Sequence, residues 1–141
     1  MGVELRQWGI YWVYWPYDDD PTGGKERPGI LISSPELIAN DELHFLYITS
    51  RRVDEPWCVP IIKGAAYWNA TGLRDSCYCW VARCDRFHRA AVNQTKSGYA
   101  LPPLQAYIDM VMQGELKHLR RLAFAPPPPT PPPPPPAAPP P

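Results

Sequence analysis

The run "QWGIYWVYW" at residues 7–15 most constrains the fold. Trp8, Ile10, Trp12 and Tyr14 fall on one parity and Tyr11, Val13 and Trp15 on the other. Side chains of a strand alternate between its two sides, and aromatic and β-branched residues favour extended backbone. A strand filled this way on both parities must be covered on both faces, or have one face in a core and one in an interface. Further short runs of the same character follow: "RPGILIS", "LHFLYITS", "WCVPII" and "SCYCWVARCD". Pro60 pushes the "WCVPII" strand toward an edge, because proline has no N–H to give to a ladder. Between them, "SPELIANDEL" has helix or turn character, with Ser34 placed to cap and Pro35 at a first helical position.

The period changes near the end. In "LPPLQAYIDMVMQGELKHL", Leu104, Ile108, Val111 and Met112 recur at three- and four-residue steps, which predicts an amphipathic helix entered through Pro102 or Pro103. Short strands first and one packing helix last define a mainly β fold with a C-terminal α element. Polar and Gly-containing connections indicate a small antiparallel barrel or half-barrel rather than βαβ units. From Ala125 onward the chain is "APPPPTPPPPPPAAPPP", which cannot join a packed core and is expected to be a disordered, solvated tail over 125–141. Residues 1–124 remain as one domain.

Charge excludes long-range attraction to a polyanion: 14 basic and 14 acidic residues balance. Any anion site must come from local clusters, such as Arg51 with Arg52, or Arg74, Arg83, Arg86 and Arg89. No apolar run is long enough to span a bilayer and the N-terminus lacks a signal-peptide plan, so a cytoplasmic protein without a membrane partner is expected. Cys58, Cys77, Cys79 and Cys84 do not form CxxC pairs and read as reduced core residues. His44, His88 and His118 are scattered, so neither a metal nor a cofactor is expected.

Two short stretches carry chemistry. In "VARCDR", period-two alternation puts Arg83 and Asp85 on one face, roughly 7 Å apart at Cα, where a guanidinium and a carboxylate can flank a phosphate. The plain alternative is a surface ion pair contributing at most about 1 kcal/mol. In "ITSRR", Thr49 and Ser50 end a strand just before Arg51, a place where a phosphodiester could be held; the alternative is a solvated strand end. Arg27, before Pro28, either pairs with one of Asp18, Asp19 and Asp20 or aims at a substrate phosphate.

Together, "GIYWVYWPYDDDP", a charged loop, "RPGILIS", "ITS" and "RCD" after a Gly-Leu turn resemble the PemK/MazF family of toxins from type II toxin–antitoxin systems. The resemblance runs from Trp8 to Leu119. It implies an SH3-like twisted antiparallel barrel with a C-terminal helix, usually a homodimer, and a metal-independent endoribonuclease acting on single-stranded RNA. A cognate antitoxin is the implied partner. Carried onto this sequence, the family's residues fall on Arg83, Asp85, Arg27, Thr49 and Ser50, of which Arg83, Asp85, Arg27 and Thr49 form the catalytic set and Ser50 binds substrate. The strand-end position of Arg51 and the loop position of Lys25 add these two as further substrate-binding residues.

RNA supplies its own nucleophile, the 2′-OH, so such a site needs a base and cations. Asp85 is the expected base, Arg83 and Arg27 the clamp, and Thr49 the holder of a phosphate oxygen or of the attacking hydroxyl. A guanidinium holds its proton too tightly to act as the acid. Some family members place a catalytic His in the first loop; "DDDPTGGKE" has none. That loop is expected to lie over the groove, with Gly23 and Gly24 as hinges and Lys25 meeting RNA. The competing class is a non-catalytic module on the same barrel that inhibits a protein such as a topoisomerase. A third reading makes the proline tail a ligand for SH3-type or WW-type domains.

Overall fold

The computed structural model describes residues 4–17, 19–20, 22–51 and 57–124, with side chains in the last helix as far as residue 114. Asp18, Arg52 and the proline tail therefore lie outside the described residues. Six strands form one antiparallel sheet: β1 (Gly9–Pro16), β2 (Gly24–Leu31), β3 (Leu43–Thr49), β4 (Cys58–Ile61), β5 (Cys77–Phe87) and β6 (Val92–Tyr99). Their spatial order is β4-β5-β3-β2-β1-β6, so the sheet is open, with β4 and β6 at its margins. Pro60 accordingly sits on an edge strand, as a residue without an N–H requires.

Two short helices interrupt the strands, α1 (Pro35–Ala39) and α2 (Trp68–Thr71), and the long α3 (Pro102–Phe124) ends the described chain. Ser34 caps α1, its hydroxyl accepting the Leu37 N–H at 3.4 Å. No helix among the described residues is long and apolar enough to cross a membrane.

Strand parity divides the core in two. Ile10 of β1 joins Ile30, Leu46, Ile48, Val59 and Val81 on one side of the sheet, closed by Leu104 and Ile108 of α3. Tyr11, Val13 and Trp15 face the other side, with Leu31, Phe45, Tyr47 and Phe87. The odd-numbered face of β1 is therefore buried throughout, whereas the even-numbered face passes from buried Ile10 through half-buried Trp12 to Tyr14, which is 50% exposed. Each large apolar side chain removed from water contributes roughly 1.5–3 kcal/mol before the entropic cost of ordering it. Cys77 and Cys79 also lie in the first cluster, where burial pushes the Cys77 thiol up to about 12 and that of Cys79 higher still.

β6 is the element that strand patterning does not reveal. Its residues "VNQTKSGY" are largely polar and exposed over 94–97, and it is held as a strand by pairing with β1, Gly9 opposite Tyr99 and Tyr11 opposite Ser97. Gly98 has a specific reason to be glycine: a Cβ there would overlap the Thr71 carbonyl, because α2 rests directly on the β6 backbone. Gly98→Ala is expected to cost about 1–3 kcal/mol, the usual penalty for forcing atoms into a packed interior. Urea unfolding followed by circular dichroism checks it, and wild-type stability in that variant would show that α2 does not rest there.

Candidate active site

The site is assembled around Tyr47, where two departures from a regular sheet meet. On one side, the β2–β3 ladder runs Leu31–Phe45, Ile30–Leu46, Gly29–Tyr47 and stops. The next pair would be Pro28 with Ile48, and Pro28 offers no N–H. On the other side, β5 carries a bulge. Leu46 pairs with Cys84 but Tyr47 pairs with Trp80, so residues 81–83 are inserted between adjacent rungs. Bulges re-aim side chains, and this one carries the Arg83 guanidinium over the Tyr47 ring, its Cζ 4.3 Å from the centroid.

Arg83 also lies 5.7 Å from the Trp15 ring, and Arg27 reaches the Tyr47 ring from β2 at 5.8 Å. Stacking on aromatic faces suits arginine, whose planar cation is weakly hydrated. Asp85, opposite Phe45 on the same side of the sheet, places Oδ2 3.4 Å from Arg83 Nε. The Arg83 side chain is 24% exposed and that of Asp85 48%, so the pair is partly sheltered yet open to a ligand. Beneath it, Trp15 packs edge-on against Tyr47 at 5.1 Å and against Phe87 at 4.5 Å. Arg27, Arg83 and Asp85 are therefore brought together on an aromatic floor. Tyr47 and Trp15, which form that floor, are absent from the candidate site residues that the sequence suggested; the signal for Tyr47 was the odd-numbered parity that it shares with Thr49.

The remaining expected residues are distributed differently. Alternation sends Thr49 to the Tyr47 side, where it is buried and its Oγ1 accepts the Arg51 N–H at 3.1 Å. Ser50 points the other way and lines a cleft with Lys25 and Arg27. The exposed Arg51 follows the strand end. Of the arginine cluster read in sequence, Arg86 is held by Glu42 at 2.8 Å and Arg89 by Asp41 at 2.8 Å.

The first loop is shorter than its composition suggests, because Gly24, Lys25 and Glu26 belong to β2. Gly24 is a close-approach residue rather than a hinge: a Cβ would stand 2.6 Å from the Trp15 carbonyl oxygen. Asp20 folds the loop on itself, accepting from the Thr22 hydroxyl at 2.6 Å and the Thr22 N–H at 3.1 Å. Those bonds hold its carboxyl below the ordinary range.

The architecture is that of the MazF toxins. An endoribonuclease from a mycobacterial species, solved in complex with its cognate antitoxin, superposes with a TM-score of 0.62 at 12% identity, over 81% of this chain and 96% of that one. The Mycobacterium tuberculosis toxin MazF-mt6 gives 0.59 at 13% identity, over 77% and 95%. MazF from Deinococcus radiodurans gives 0.60 at 15%, over 80% and 96%. Fold, not sequence, carries the likeness: no protein-family model and no curated protein matches this sequence.

Proposed function

We propose that this chain is the toxin of a type II toxin–antitoxin pair and acts as a metal-independent endoribonuclease on single-stranded RNA. The observation that carries the reading is the convergence of Arg27 and Arg83 on Tyr47, with the Asp85 carboxylate 3.4 Å from Arg83. A lone surface ion pair would not need a bulged strand, an interrupted ladder and a buried tryptophan to place it.

In the proposed reaction, Asp85 accepts the proton of the 2′-OH as its oxygen attacks the adjacent phosphorus. The two guanidiniums stabilise the negative charge that develops on the phosphorane. The 5′-oxygen leaves with a proton from water, giving a 2′,3′-cyclic phosphate and a 5′-hydroxyl end. The buried Thr49 hydroxyl, which accepts the Arg51 N–H, orders the strand end beside the site, and Arg51, Ser50 and Lys25 position the RNA. The natural partner is an antitoxin that covers this surface, and the working form is a homodimer. Support for the toxin reading comes from fold neighbours that are named endoribonucleases and antitoxin-bound toxins.

Incubation of the purified protein with a long single-stranded RNA in excess EDTA, with fragment ends mapped, is the test. Discrete cuts ending in cyclic phosphate are expected. Intact RNA in the presence of folded protein would overturn the reading in favour of a non-catalytic module on the same fold.

A further inference from the structure

Where the β2–β3 ladder stops, the two strands part, and a cleft of about 760 Å³ opens through the gap. One bank is residues 25–28 of β2 and the other is Ile48 and Ser50 of β3; Trp12 of β1, the 72–77 segment and Thr95, Lys96 and Ser97 of β6 complete it. Arg27 stands at its mouth, lining the cleft while its guanidinium lies over Tyr47 beside Arg83. Arg27 is thus the residue shared by the cleft and the Arg83–Asp85 site, whose other members do not line the cleft.

Its chemistry is that of a nucleic-acid track. Four cations, Lys25, Arg27, Arg74 and Lys96, line it against two carboxylates, Glu26 and Asp75. Glu26 accepts from the Asn93 amide at 3.1 Å and lies 4.0 Å from Lys96, itself one of the four, and Asp75 lies 4.0 Å from Lys63, so the cations outnumber the carboxylates along the cleft. The half-buried Trp12 supplies a π surface, with Lys96 Nζ 5.9 Å from its ring centroid. Sequence-tolerant binding of single strands combines these two features, cations that follow the backbone and an aromatic ring on which a base stacks.

We infer that this cleft is a second RNA-binding subsite, in which a nucleotide flanking the cut stacks on Trp12 while Arg74 and Lys96 hold its phosphates. The inference rests on the ribonuclease reading and extends it to the other side of the sheet. An acidic peptide would use the cations but has no need of the ring, so RNA is the favoured occupant.

The test pairs the exposed double variant Arg74→Ala/Lys96→Ala with Trp12→Leu. Affinity is measured on a 2′-O-methyl single-stranded RNA and, as the competing occupant, on an acidic peptide, over a range of salt. Cleavage of a long RNA is compared with that of the shortest RNA that is still cut. The double variant is expected to bind about tenfold more weakly and to flatten the slope of log affinity against log salt by about 1.4, two phosphate contacts at about 0.7 each. Trp12→Leu is expected to weaken binding at least fivefold with no change in that slope. In all variants the advantage of long over short RNA shrinks. Wild-type cleavage with unaltered binding and slope in the double variant overturns the subsite alone. So does a loss confined to acidic peptides. A wild type that neither binds nor cuts RNA overturns the subsite and the ribonuclease reading together.

Discussion

On the proposed ribonuclease reading, Arg83→Ala is expected to lower the rate of RNA cleavage by about 10²–10³-fold, the usual cost of removing one preorganised donor from a developing oxyanion. The side chain is held in place before substrate arrives, by Tyr47 at 4.3 Å, Trp15 at 5.7 Å and Asp85 at 3.4 Å, so no reorganisation is required at the moment of reaction. Arg83→Lys keeps the charge but loses the planar stacking and the fork, and recovers only part of the rate. Asp85→Asn preserves shape while removing the base and is expected to cost at least as much as Arg83→Ala. Single-turnover cleavage under saturating protein reads these effects on the chemical step, with circular dichroism confirming folding. Arg83→Ala cutting at the wild-type rate would remove the guanidinium from the mechanism.

Trp15→Ala has the largest expected effect on stability, about 3–5 kcal/mol. The side chain is 2% exposed and contacts Tyr47 and Phe87 edge-on, so truncation leaves a cavity at the centre of the second core cluster. Against a total stability of roughly 5–15 kcal/mol, little margin remains. Trp15→Phe separates packing from the rest of the indole: it keeps an aromatic ring and removes the Nε1–H, which is buried without a partner. It is expected to cost less than half as much, since no hydrogen bond is lost. Because Trp15 supports Tyr47 and lies against Arg83, both variants are also expected, on the ribonuclease reading, to slow cleavage. Urea denaturation with an unchanged m-value checks the stability effect. Equal losses in the Ala and Phe variants would show that ring packing is not the source.

Much of the framework was legible because it depends on local periodicity. The two-sided pattern of "GIYWVYW" implied a strand covered on both faces, or with one face in a core and one in an interface; β1 buries its odd-numbered face, and its other face is buried at Ile10 but open at Tyr14. The three- and four-residue stripe of Leu104 and Ile108 gave α3, and Ser34 and Pro35 gave the start of α1. Period two placed Arg83 and Asp85 together, and they meet at 3.4 Å. β6 escaped because an exposed edge strand has no apolar alternation to display. Arg86 and Arg89 resembled their neighbours in composition, yet they are neutralised by Glu42 and Asp41, and Asp41 is 48 residues from Arg89 in sequence.

By itself, then, the sequence determined which residues alternate, where helices begin and which side chains could hold a phosphate, since these follow from backbone geometry over a few residues. Tertiary structure alone decided that Tyr47 is the floor of the site, that Ser50 parts from Thr49 onto the other side, and that Arg27 both faces Tyr47 and lines the cleft. Each of those depends on where the β2–β3 ladder ends and where β5 bulges. Register across strands distant in sequence is set by packing of the whole sheet, and no local pattern encodes it.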